Sequence, residues 1–221
     1  MNMCCQFNFS GIYFTALGSG ALWWAERRLL CVSDLHLGKS ERVARRGGAI
    51  LPPYETQDTL ERLEQDLQDY PVETVVCLGD SFDDMTAGRS LPTGIRGWVA
   101  RLQSQREWVW IQGNHDPAPI DMGGECLPEV CIGPITFRHI AVAGASGEVS
   151  GHYHPKASLR FGKHTISRPA FLIDENRVIM PAYGTYTGGL RSSSPVLQSS
   201  MSADACAILT GFCPTPIPMP R

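Results

Sequence analysis

What this sequence has little of narrows it first. Residues 1–25 carry no Asp, Glu, Lys or Arg. No cation precedes their apolar part, and Gln6, Asn8, Ser10 and Gly11 interrupt it, so a secretory leader is not expected. No apolar run is long enough to cross a bilayer, and no membrane role is expected. Cations are not in excess: 19 Lys and Arg stand against 22 Asp and Glu, a net charge of −3. No global positive field therefore attracts nucleic acid, and a polyanion would have to be held by local cations or metals. The 8 cysteines include no C-x-x-C pair, and Cys4/Cys5, Cys126/Cys131 and Cys206/Cys213 fall far from the histidine-bearing stretches. That pattern disfavours a zinc cluster or a disulfide framework and fits reduced thiols in a cytoplasmic protein. No internal repeat is visible.

What is present is an ordinary globular composition, 43% hydrophobic and 19% charged over 221 residues. That length fits one α/β domain with a substantial core. The chain is organised around residues 29–39, LLCVSDLHLGK. The apolar run Leu29–Val32 has the length of a buried strand, and it delivers Asp34 and His36 to its end. Alternate residues of an extended segment point the same way, so both side chains could face one site that suits a divalent ion. Alone, Asp-Leu-His could equally be a turn whose Asp bonds local amides.

Before this stretch, residues 9–17 and 21–25 read as a hairpin around Gly18-Ser19-Gly20. Trp23 and Trp24 would face opposite ways into packing. After it, Ser40 can cap a short helix bearing Glu41, Arg42, Arg45 and Arg46, with Arg42 and Arg46 on one face. That charge run is either a solvated helix surface or a set of phosphate contacts. Residues 56–69 place Leu60, Leu63 and Leu67 at helical spacing as a covering helix. Strand-like runs at 72–78 and 107–112, with a helix over 95–102 between them, end in Gly79-Asp80-Ser81-Phe82-Asp83-Asp84 and Gly113-Asn114-His115-Asp116. The β-α-β-α-β succession indicates an α/β fold with its site beyond the carboxyl ends of the strands. From Cys131, shorter strands predict an antiparallel second sheet packed on the first. Residues 1–191 read as one domain. The Ser- and Pro-rich segment 192–221 reads as an irregular or extended tail peripheral to the chemistry.

The strand-end residues collect as Asp34, His36, Asp80, Asn114, His115, His139, His152 and His154. The chain has only 6 histidines, and His164 alone lies elsewhere. Each motif has a bland counterpart: a Gly-Asp turn, an Asx loop, a satisfied core imidazole at His139, or two exposed imidazoles in Gly151-His152-Tyr153-His154. It is their joint order that speaks for a metal site.

Asp-x-His, Gly-Asp, Gly-Asn-His-Asp, a single His and Gly-His-x-His, in this order, resemble the calcineurin-like metallophosphoesterase superfamily. The resemblance spans most of residues 29–190 and implies a double β-sandwich flanked by helices, a four-layer αββα arrangement. The text ALWWAERRLLCVSDLHLGK, RRGGAILPPYETQDTLERL, GDSFDD, GNHDP, GEVSGHYHP and VIMPAYGTYTGGL further resembles the bacterial ligase-associated DNA damage response endonucleases. In that group a His is expected where this chain has Asp83, which leaves the role of position 83 open.

The resemblance implies one ion held by Asp34, His36 and His154, a second held by Asn114, His139 and His152, and Asp80 between them. Manganese is the first expectation, with zinc, iron or cobalt as alternatives. Such a pair activates a shared water for attack on a phosphodiester without a protein nucleophile. His115 would not be a ligand but would serve the leaving-group oxygen. Asp116 could orient His115 or cap the loop. Lys39, Arg42, Arg45 and Arg46 would grip neighbouring phosphates. The implied activity is DNA phosphodiester hydrolysis beside a ligase, helicase or exonuclease. Hydrolysis of a small nucleotide or cyclic nucleotide is the alternative, and a non-catalytic scaffold of the same fold a more distant one. The loop Tyr183–Gly189 reads as a Gly turn with packing tyrosines or as a flap over the substrate.

Overall fold

Residues 29–32 and 74–78 alternate the direction of their side chains, but every one of these side chains is apolar or small, as strands covered on both faces require. The computed structural model, which describes residues 4–48, 51–118 and 121–221 (Phe161 by its backbone alone), shows why. Leu30, Val32, Val75 and Cys77 face a core beneath helices. Leu29, Cys31, Val76 and Leu78 face a second sheet.

The first sheet runs in sequence order: β1 (Cys4–Phe9), β2 (Ile12–Leu17), β3 (Leu22–Trp24), β4 (Leu29–Val32), β5 (Thr74–Cys77), β6 (Glu107–Ile111) and β7 (Glu125–Leu127). The first four strands pair antiparallel, and β4 to β7 are parallel. Its outer face is covered by α2 (Glu55–Asp69) and α4 (Thr93–Gln103), with the short helices α1 (Lys39–Arg45) and α3 (Met85–Arg89) at its carboxyl edge. In α2 the expected stripe of Leu60, Leu63 and Leu67 is buried, each such side chain contributing roughly 1.5–3 kcal/mol of transfer free energy. Trp23 and Trp24 do part company, one in each core.

The second sheet holds β8 (Glu129–Ile132), β9 (Ile135–Arg138), β10 (Glu148–Ser150), β12 (His164–Ile173), β13 (Arg177–Ile179), β14 (Cys206–Leu209) and β15 (Thr215–Pro218), while β11 (Lys156–Phe161) pairs β12 alone. Its outer face packs under α5 (Pro195–Ser200) through Leu197 and Met201. The α/β double sandwich flanked by helices is thus the fold found.

Two expectations fail here. The second sheet is mixed, because β10 lies parallel to both β9 and β13. Parallel pairing brings the carboxyl ends of β9 and β10 to one edge, and His139 and the 151–154 loop follow those ends. The segment 192–221 is not an irregular tail. Its β14 pairs β12 across Ala170–Ile173, and β15 closes that edge. Pro216 and Pro218 are compatible with this because β15 is the outermost strand, where a missing N–H costs no ladder bond.

Candidate metal centre

Five chain segments meet at the carboxyl edge of both sheets. The 33–38 loop follows β4 and the 79–84 loop follows β5. The 113–116 loop follows β6, and His139 with residues 151–154 follows β9 and β10. Asp34 and His36 are not in extended backbone as expected. Both have left-handed φ, 53° and 47°, as do Asp80 (47°), His152 (73°) and His154 (46°). This conformation is costly for any residue with a Cβ. In the 33–38 and 79–84 loops it is held by cross-loop backbone bonds, Asp34 N to Gly79 O, His36 N to Asp80 O and Leu37 N to Ser81 O, and His152 N donates to Asp34 Oδ2 at 3.0 Å.

The loops also approach too closely for side chains. A Cβ on Gly151 would overlap Ser33 Oγ and come within 2.6 Å of Asp34 Oδ2. One on Gly79, itself at φ +75°, would lie 2.6 Å from His139 Nδ1.

Two triads result, each with its donor atoms within 4.8 Å of one another: Asp34 with His36 and His154, and Asp80 with His139 and His152. In the first, His154 Nε2 lies 3.2 Å from Asp34 Oδ1 and 3.4 Å from His36 Nε2. In the second, His139 Nε2 lies 3.2 Å from His152 Nδ1, 3.4 Å from Asp80 Oδ2 and 3.0 Å from Asn114 Oδ1. The seven expected ligands therefore converge.

Their surroundings set the free nitrogens. His139 Nδ1 donates to Leu78 O at 2.7 Å, which leaves the Nε2 lone pair facing carboxylate and amide oxygens. An electron-rich cluster of that kind is stable only around a cation. Asp34 Oδ1, with its residue fully buried, has no hydrogen-bond partner. The residues therefore fit a bound divalent ion at each triad, through mixed carboxylate, amide and imidazole donors.

Burial alone would raise the carboxyl of Asp80, but the hydrogen bond and charge of His139 hold it at about 2. Asp34 is likewise below the ordinary range, burial being outweighed by His154. Burial pushes His36 down, whereas at His139 burial is outweighed by Asp80, Asp34 and the Leu78 carbonyl together, and the imidazole is raised.

Asp83, whose role the sequence left open, is part of this centre. Its buried carboxylate lies 2.9 Å from His36 Nδ1 and 3.7 Å from Lys39 Nζ, and accepts from Arg42 Nε. Burial is again overcome, here by His36 and Arg42, and the group sits at about 2. His36, Asp83 and His115 form a third cluster. The ring of His115 lies edge-on to His36 with centroids 5.1 Å apart. Its Nδ1 is 2.7 Å from Asp83 O, and its backbone N–H donates to Asp80 Oδ1 at 2.8 Å.

Asp116 does not orient His115. Its carboxylate accepts the backbone N–H groups of Gly113, Asp80, Ser81 and Phe82 at 2.7–3.1 Å, so of its two expected roles it fills the loop-capping one. Burial, with the charge of Asp80 adding to it, pushes this carboxyl up to about 6 against the pull of those backbone donors.

The four cations divide. Lys39 and Arg42 reach the centre through Asp83, whereas Arg45 and Arg46 are engaged by Asp84, the N-cap of α3. Arg42 and Arg46 therefore do not act as one face. Nor does Ser40 cap α1: Gly38 holds that position, and Ser40 bonds Glu55. Tyr183 is buried and donates to Asp66 Oδ2 at 2.8 Å, and Gly184 packs on the carbonyls of Asp34 and Leu35. Tyr183 is thus packing, and Tyr186 is exposed.

Residues 27–178 match the family model described as calcineurin-like phosphoesterase. No curated protein sequence matches the chain. A solved structure described as the Pseudomonas putida nuclease MPE superposes with a TM-score of 0.77 at 26% identity, covering 97% of this chain and 100% of that one.

Proposed function

The chain belongs to the calcineurin-like phosphoesterase family, and from that premise we propose that it is a dinuclear-metal phosphodiesterase acting on DNA. We place it in the cytoplasm beside DNA-repair enzymes such as a ligase, helicase or exonuclease. Membership makes it a metal-dependent phosphoesterase. The nucleic-acid substrate is supported by the superposition on a nuclease along nearly the whole chain and by the resemblance to ligase-associated endonucleases. No helix among the described residues is long and apolar enough to cross a membrane.

The observation that carries the reading is the meeting of two donor triads on the seam between the sheets. Asp34, His36 and His154 would hold one ion, and Asn114, His139 and His152 the other, with Asp80 shared. Manganese is the ion we expect first, with zinc, iron or cobalt as alternatives. When bound, such a pair lowers the pKa of a shared water and neutralises charge on the phosphoryl oxygens during in-line attack.

The chain's own residues do the rest. With Nδ1 directed at the Asp83 carbonyl, His115 keeps Nε2 for the substrate. A protonated Nε2 can donate to the departing oxygen of the cleaved bond. Asp83 fixes the His36 ring from its Nδ1 side, so that Nε2 faces His154. Lys39 and Arg42 stand beside this carboxylate and are the better placed of the proposed phosphate contacts. Asp116 ties the loop of Asp80 to the loop of His115.

The test is an activity screen of the manganese-loaded chain on single-stranded, duplex and hairpin DNA beside a small aryl phosphodiester. Cleavage of any of the DNAs supports the reading. Hydrolysis of the small diester with every DNA left intact would move the substrate to a small nucleotide, and no hydrolysis of any phosphoester would overturn the reading altogether.

A further inference from the structure

The strands β11 and β12 leave the metal centre directly, since Lys156 stands two residues after His154. From Pro155 to Ile173 the chain contains Lys156, Arg160, Lys163 and Arg168 and not one acidic residue, in a protein whose net charge is −3. None of these four cations forms an ion pair among the described residues, whereas Lys39, Arg42, Arg45 and Arg46 all do. Residues 162–168 are exposed.

The register sorts the ribbon into two faces. Ser158 pairs Ser167 and Arg160 pairs Thr165, so these four side chains project to one side together with Lys156. The other side carries Ala157 and Leu159, which pack on the core beneath α5, and opposite them Arg168 and Ile166, so that Arg168 lies off the basic face. The face opposite that packing thus carries two cations and three hydroxyls beside Pro169, and these five groups are hydrogen-bond donors suited to phosphate oxygens. Edge strands do carry charge to resist aggregation, but either sign serves that purpose. A ribbon with one sign only, hydroxyls between its cations, and its root at a phosphoester site has a narrower use.

We propose that the β11–β12 hairpin grips the phosphate backbone of a nucleic acid and leads one strand into the metal centre. The six residues of β11 span roughly 20 Å, a length that runs along several successive phosphates. The proposal rests on the reading of DNA as substrate and adds to it the surface that holds the strand.

The experiment is a fluorescence-anisotropy titration of a labelled single-stranded oligonucleotide with the full chain in EDTA, over a series of salt concentrations. The variants are R160Q/K163Q, at the exposed tip where folding is not at stake, and a charge-matched control, R27Q/R101Q, at the opposite edge of the first sheet. Tip substitution is expected to weaken binding about tenfold and to flatten the slope of log affinity against log salt by roughly 1–1.5, about 0.7 for each phosphate of a single strand that is no longer neutralised. The control is expected to stay within about twofold of wild type.

Equal losses in both variants would reduce the effect to net charge and overturn the proposal. Unchanged affinity and slope at the tip would also overturn it, as would binding to anionic phosphatidylserine vesicles with none to the oligonucleotide. Failure of the DNA-hydrolysis reading is seen separately, as DNA left intact by the manganese-loaded wild type while tip-dependent binding persists.

Discussion

Replacing Asp116 by Asn should cost much of the protein's stability, although the two side chains have the same shape and the same number of heavy atoms. In the folded protein Oδ1 accepts from Gly113 N and Asp80 N, and Oδ2 accepts from Ser81 N and Phe82 N. An amide keeps one oxygen and sets its NH2 against the other pair of N–H donors. Two hydrogen bonds are lost in a buried place and two backbone donors are left unsatisfied, at about 1–3 kcal/mol each, or roughly 2–6 kcal/mol in all. For a chain of this size that corresponds to a fall in melting temperature of very roughly 5–20 °C. The same loops carry Asp80, Asn114 and His115, so ion content and turnover should fall with it. Differential scanning fluorimetry and metal analysis of the purified variant measure both. A melting temperature within about 1 °C of wild type would refute the claim that this carboxylate binds the two loops together.

His115→Ala should leave ion content near normal and cut turnover by about 10²–10⁴-fold; loss of the ions would make His115 a ligand instead. Truncation after Ser194, which the composition suggested would be harmless, should destabilise or abolish folding, because it removes β14, which pairs β12, and β15, which pairs β14. A soluble truncated chain with wild-type melting would contradict the pairing. Asp66 is raised by its burial beside Tyr183. The folded state therefore holds its proton at pH values where the unfolded chain has lost it, and stability present below the ordinary carboxylate pKa is lost as pH rises through the folded value. Asp66→Asn removes this slope, so denaturant melts should show wild type losing ground to the variant as pH rises above the ordinary carboxylate pKa of about 4. Parallel curves would refute it.

Much of the centre could be read in the chain because ligand type and order are local facts. Asp34, His36, Asp80, Asn114, His139, His152 and His154 each follow a strand-like run, and all converge. How they converge was hidden. Alternation along an extended strand suggested that Asp34 and His36 share a face, but left-handed backbone turns them instead, and only the cross-loop bonds make that conformation stable. The parallel run through β9, β10 and β13 was equally out of sight, since pairing partners are fixed by long-range packing and not by the strand's own residues. The C-terminal segment misled by its prolines, which an edge strand tolerates. Asp83 shows the same limit: nothing beside it in sequence announces that it will sit against His36 and Arg42.

The first donor triad takes two members from loops of one sheet and the third, His154, from a loop of the other. Neither sheet supplies that donor set alone, so a cation captured there would act as a rivet driven through both plates. The apolar core between the sheets holds them together without it, so such an ion would add a pin at the carboxyl edge, and chelation should lower the melting temperature while leaving the molecule folded.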